Sequence, residues 1–288
     1  MIGDKQNQNV EAEGTAIQAG GDVTVTQNKG LSVAEVKELC LLFLRDNFPS
    51  LRDEAIRAAE ANVQKFAASL EQKIVEKSGE IVFEKFTDPD VQAAINDAVQ
   101  ASARKGEKAN PSVLVDLIAE RASASANDFK DIVISEAVTV VPKITKPQIA
   151  YLSFIHYMTH VGVQGLQHLS HLEPYSQRAL AAVSMGFNLS AAQKSHIQYA
   201  GTCSIASIMS VDIYNGWMTQ LYKYFGYTEL EKFKTDLTKF SPSSKILLDT
   251  FDKEAKSGQV TLTSVGQAIA IANLSTTLGK LDYSIWLK

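Results

Sequence analysis

Histidine is the residue type best placed for chemistry in this chain. Four of its five histidines, His156, His160, His168 and His171, fall within 16 positions. His156 and His160 are four residues apart and share a helical face, a spacing that lets two imidazoles meet one divalent metal. His168 and His171 follow in the glycine-bounded stretch GVQGLQHLSHLEP, from which they can fold back toward the first pair. Such a set would serve a metal-dependent hydrolase or nuclease. It does not match the H-E-x-x-H protease pattern, because Tyr157 follows His156 and the first carboxylate after the window is Glu173. The plainer reading makes these histidines members of a core or an interface, and the residues alone leave both readings open.

A second cluster is aromatic. Tyr214, Trp217, Tyr222, Tyr224, Phe225 and Tyr227 lie within 14 positions. Tyrosine and tryptophan anchor both cores and interfaces, so Tyr214, Trp217 and Tyr222 are candidate interface residues. Stacking on single-stranded nucleic acid would need flanking cations, and only Lys223 stands nearby. No P-loop, G-x-G-x-x-G or G-x-S-x-G pattern occurs. Cys203, among Ala, Ser and Ile, reads as a small buried hydrophobe in mid-helix, and Cys40 within LCLLFL reads the same way. The residues nominate no catalytic group. They imply no cofactor beyond the divalent metal that the histidine window would hold.

The elements that must position these residues are mostly helices. Ser32 with Glu35 forms a capping box for a first helix that runs to Pro49. A second extends from Ser50 to about Lys77, with Ile56, Ala59, Val63, Phe66, Leu70 and Ile74 on a narrow seam that suits a helical hairpin or an intermolecular coiled coil. Asp88-Pro89, Pro111, Asn127, Lys146-Pro147, Ser190 and Ser241-Pro242 each open a further helix, and GEKANP at 106–111 reads as a linker. The Ser190 helix is expected to continue through Ile208. Toward the end, QVTLT after Gly258 reads as a strand, Ser264 as a helix cap, and Leu281, Tyr283, Ile285 and Leu287 as a terminal strand.

The first 30 residues differ in kind. Asn9 to Thr26 is rich in Gly, Val, Thr and Ala, with Val10, Ile17 and Val23 recurring near turn-forming glycines and Val23 to Thr26 alternating as a strand does. A segment this short cannot close a core alone. It is a polar tail, or its strands add to the chain's own C-terminal sheet, or identical N-termini stack through Val10, Ile17, Val23 and Val25 to join several chains. The expected fold is therefore mainly α: a multi-helix bundle with a short N-terminal β-rung oligomerisation segment and a small α+β, winged-helix-like C-terminal module. The divisions fall at 1–30, 31–125, 126–228 and 229–288.

Composition narrows the function classes. The net charge of −4 disfavours a basic nucleic-acid binder, and residues 229–256, the segment shaped for DNA, carry six lysines against six carboxylates. A regulator binding nucleic acid through the C-terminal module is the least supported reading. Two distant cysteines provide neither a disulfide framework nor a zinc module. The start lacks a signal-peptide pattern and no apolar run reaches about 18 residues, so a cytoplasmic protein without a membrane span is expected.

Two terminal segments carry a resemblance. AIQAGGDV at Ala16 to Val23 resembles a short β-motif at the ends of bacterial proteins, many of them from conflict or phage-defence loci. LTSVGQAIAIANL at Leu262 to Leu274 is similar to the end of an uncharacterised bacterial family. The resemblance implies a bacterial protein that assembles, with itself, another defence protein or a phage component as partner, and it brings no catalytic residues. The leading expectation is a homo-oligomeric interaction, scaffold or sensor protein.

Overall fold

The computed structural model describes residues 48–124, 127–206, 212–255 and 259–284. The chain divides into residues Met1–Asp53 and a compact unit, Glu54–Lys288. Val10, Ile17, Val23, Val25, Cys40 and the Ser32 helix lie outside the described residues.

The fold is mainly α. The described helices are α1 (Phe48–Glu76), α2 (Pro89–Lys105), α3 (Pro111–Arg121), α4 (Asp128–Val140), α5 (Lys146–His160), α6 (Glu173–Val183), α7 (Ala191–Tyr199), α8 (Ile213–Phe225), α9 (Leu230–Phe240), α10 (Pro242–Ala255) and α11 (Ser264–Leu278). Two short strands, β1 (Cys203–Ala206) and β2 (Gln259–Leu262), pair antiparallel with Cys203 opposite Leu262. Local chemistry explains several helix starts. Asp88 accepts from the Asp90 N–H ahead of α2, and Asn127 accepts from Phe129 and Lys130 ahead of α4. Thr145 with Gln148 and Ser190 with Gln193 form reciprocal capping boxes.

The centre of the unit is α11. Val265, Gly266, Ala268 to Ala272 and Leu274 are all buried, so buried residues lie on every side of the helix, as expected of one enclosed by others. It packs against α3, α4, α5 and α6. One hydrophobic cluster runs from Phe66 on α1 to Tyr283 beyond α11. On α1 the seam turns inward at Phe66, Leu70 and Ile74, while Ile56 is exposed.

Helix α3 is buried from Val113 to Arg121 although it carries three charges. Each charge is answered by a neighbour. Asp116 Oδ1 receives Lys73 Nζ at 3.0 Å and Lys77 Nζ at 3.3 Å, and its Oδ2 receives the Tyr283 hydroxyl at 2.7 Å. Glu120 pairs with Lys130 of α4, while Arg121 reaches Asp90 of α2 at 2.7 Å and Asp131 of α4 at 3.0 Å. A buried charge is tolerated only when paired and hydrogen-bonded. These ion pairs therefore fix the register of α3 against α1, α2 and α4.

Four local expectations are corrected. The Ser190 helix stops at Tyr199, because Gly201 takes φ +76° and Thr202 turns the chain into β1. Cys203 consequently sits in a strand rather than mid-helix, although it is buried and burial pushes its thiol up to about 11. The cap of α11 is Thr263, whose side chain accepts from the Gly266 N–H, rather than Ser264. Residues 281–284 form no strand: Tyr283 and Ser284 make a 3-10 turn, and the Tyr283 hydroxyl is drawn inward to Asp116. The partner of β2 comes from residues 203–206 instead. The stretch 106–109 is a tight 3-10 turn joining α2 to α3.

Candidate ligand-binding site

Helix α5 carries the first two histidines because its cap and its Pro147 set the start, and eleven consecutive residues from Gln148 to Met158 are buried. His156 lies inside this run at 2% exposure, whereas His160, one turn on, emerges at the helix end. Their rings stack, with centroids 5.0 Å apart and planes 11° apart. Burial lowers the His156 imidazole to about 3, aided by His160 beside it, and burial also lowers His160. The Nδ1 atom of His156 has no hydrogen-bond partner. His160 Nδ1 is bonded to Thr159 Oγ1 at 2.7 Å.

His168 and His171 serve the loop that follows. His168 Nδ1 accepts from the Ser170 N–H at 3.2 Å, and its ring meets Phe240 edge-on at 4.8 Å. The two rings of this pair are 6.4 Å apart. Among the described residues, no group of three or more His, Cys, Asp or Glu side chains is arranged to hold a metal ion. The four histidines thus form two pairs with separate surroundings.

Beside His160 a cavity of about 360 Å³ opens between the end of α5, the following loop and α8. Tyr157, Leu166, Leu172, Trp217 and Leu221 supply its apolar wall, and His160, Gln164 and Gln220 its polar groups. Trp217 is held in place by its indole N–H, which donates to the Met158 carbonyl at 3.2 Å. Tyr214, a turn earlier, is also buried and donates its hydroxyl to Asp249. The side chain of Tyr222 lies outside the described residues.

Tyr157 connects this wall to a line of buried hydroxyls. Its Oη is 3.2 Å from Ser176 Oγ, which lies 2.6 Å from Ser244 Oγ, itself 2.7 Å from Ser241 Oγ. Ser241 then donates to Glu173 Oε2 at 3.1 Å. Glu173 also receives the Ser243 hydroxyl at 2.6 Å and the Ser243 N–H at 3.0 Å, so it caps α10 from the start of α6. Burial raises the Tyr157 phenol above its ordinary value, which keeps it protonated and able to donate. The line ties α5, α6 and α10 together and holds the phenol at the cavity. Single serines up to 70 residues from their partner leave no sequence signal for it.

Cavity and histidine pair together make a neutral surface: among the lining residues there is no Asp, Glu, Lys, Arg or Cys. Phenol, imidazole and two amides can donate to and accept from an uncharged molecule, while the indole and aliphatic groups cover its apolar part.

The neutrality of His156 has a measurable consequence. Above about pH 6.5 the group is uncharged in both folded and unfolded chains and contributes no pH dependence. Below that, the unfolded chain takes up a proton that the folded chain refuses until about pH 3. Stability is therefore expected to fall with decreasing pH across this window, by up to about 1.4 kcal/mol per unit from this group. Urea titrations of wild type and His156→Leu at pH 7, 6 and 5 check it; the variant's curve should be flatter by that amount, and parallel curves would contradict it.

These features define a mainly helical protein with a central enclosed helix and a neutral cavity. The chain belongs to an uncharacterised protein family, whose sequence model matches residues 30–231 and 226–287. No curated protein and no solved structure matches the chain. Among the described residues, no helix is long and apolar enough to cross a membrane.

Proposed function

We propose that this chain is a homo-oligomeric interaction protein, a scaffold or sensor whose helical body recognises an uncharged ligand in the cavity beside Trp217. The observation that carries the recognition role is the cavity wall, which offers orientation and apolar contact from Tyr157, His160, Gln164, Trp217 and Gln220 without a charged group. Assembly is assigned to residues 1–30, in which a β-type segment with Val10, Ile17, Val23 and Val25 is too short to bury its own apolar face. Strand edges on one copy then pair with those on another. The resemblance of the two terminal segments supports a setting in bacterial cytoplasm and antiviral defence, with another defence protein or a phage component as the partner sensed. The test is the mass in solution of the full chain beside a chain lacking residues 1–30.

A further inference from the structure

A second cavity, of about 580 Å³, lies where α2 and α4 end and α3 and α5 begin. Four of its lining residues are lysines, Lys105, Lys108, Lys143 and Lys146, against a single carboxylate, Glu107. The lysines do not neutralise one another's surroundings. Lys146 pairs loosely with Glu107 at 3.6 Å, with both side chains largely in water. Lys105 donates to the Pro142 carbonyl at 2.6 Å, which fixes its ammonium at the rim while leaving its charge unopposed. Lys108 and Lys143 are exposed and take part in none of the ion pairs that the described residues form.

The floor of this cavity is rigid and polar at one point. Asn110 is 3% exposed and holds a left-handed backbone, φ +58°, the one non-glycine residue to do so among the described residues. Its Nδ2 donates to the carbonyls of Val141 at 3.3 Å and Ile144 at 3.1 Å, which clamps the 141–144 turn against the 106–109 turn. That geometry leaves Oδ1 as a buried acceptor without a partner. An unpaired buried oxygen on a lining residue is an acceptor that a ligand's donor can satisfy. Pro142 and Ile144 add an apolar wall.

We infer that this cavity binds a phosphorylated small molecule, its phosphate held by Lys105, Lys108, Lys143 and Lys146 and its uncharged body resting on Pro142, Ile144 and Asn110. Lysine ammonium groups bind phosphate as point charges, and four around one opening suit a ligand with more than one negative charge. The helix ends do not decide the matter, because two N-termini and two C-termini meet here and their partial charges oppose one another.

The experiment uses the full chain and inorganic triphosphate as probe, with isothermal titration calorimetry in buffer of about 0.15 M ionic strength, where the Debye length is about 8 Å. Three proteins are compared: wild type, Lys108→Gln with Lys143→Gln, and Lys232→Gln with Lys239→Gln, the last pair removing the same charge from exposed sites on α9. Wild type should bind, the cavity variant should lose about tenfold or more in affinity, and the distant variant should stay within about twofold, since surface charges beyond a Debye length are screened. Absence of binding by wild type, or a loss in the cavity variant no greater than in the distant one, would overturn the assignment. Because all four replaced lysines are exposed, both variants are expected to keep the wild-type melting profile.

Discussion

Gly266→Ala should cost more than about 3 kcal/mol, the largest effect of any glycine-to-alanine change among the described residues. A Cβ at position 266 would lie 1.9 Å from the Thr202 carbonyl oxygen, well inside any tolerable contact. Nothing flexible is available to yield. That carbonyl already accepts the Thr263 N–H at 3.1 Å, and Thr202 is itself fully buried, with its hydroxyl bonded to the Ile197 carbonyl. Relief would require the first turn of α11 to move away from the chain entering β1, which also opens the Cys203–Leu262 pairing next to it. Because α11 contacts four other helices, the strain passes into the whole core. Gly216→Ala on α8 is the internal standard: its added Cβ meets nothing within 4 Å, and alanine is favoured over glycine in a helix by about 0.5–1 kcal/mol. Thermal melts should show Gly216→Ala at or above wild type and Gly266→Ala far below it or insoluble. Similar melting temperatures for the two would show that the α11–β1 approach is misplaced.

Asp116→Ala should destabilise the unit by about 3 kcal/mol, a value at the low end for breaking a buried ion pair. The carboxylate is completely buried and serves three donors from two distant parts of the chain, Lys73 on α1 with Lys77 just beyond it, and Tyr283 after α11. Removing it leaves two lysine side chains that are only 20% and 16% exposed, together with a buried phenol, without their common acceptor. The residual access of the lysines to water moderates the cost. Tyr283→Phe removes one donor and leaves the ion pairs, so about 1 kcal/mol is expected. Urea denaturation of the three proteins tests the order wild type, Tyr283→Phe, Asp116→Ala; an Asp116→Ala midpoint equal to wild type would remove the ion cluster from the account.

What could be read from the sequence follows the range of the interactions responsible. Asp88-Pro89, Asn127, Thr145 to Gln148 and Ser190 to Gln193 are legible because a cap is closed by residues two or three positions away. The run Val265 to Leu274, apolar but for Gln267 and Asn273, likewise fits a buried helix. Strand β1 is hidden, because Cys203 to Ala206 becomes a strand only by meeting β2, 53 to 59 residues later, and its small residues also fit a helix. At 281–284 the terminal alternation misleads for the same reason, since Tyr283 meets a buried carboxylate 167 positions earlier rather than a strand partner; Ile285 and Leu287 lie outside the described residues. At the candidate site, the spacing of His156 and His160 is sufficient to place both on one face, where they stack. It could not show that His168 would turn to Ser170 and Phe240, nor that Trp217 would come to the same cavity as His160. The serine line from Tyr157 to Glu173 and the lysine cavity depend wholly on tertiary approach.

The proposal that chains assemble through residues 1–30 is tested most directly by light scattering coupled to size-exclusion chromatography. The full-length protein is compared with a chain that begins at residue 31. The account predicts a full-length mass that is an integer multiple of the single chain, and a shortened protein that is folded by circular dichroism and elutes at the mass of one chain. A full-length protein that already runs at the mass of one chain would contradict it.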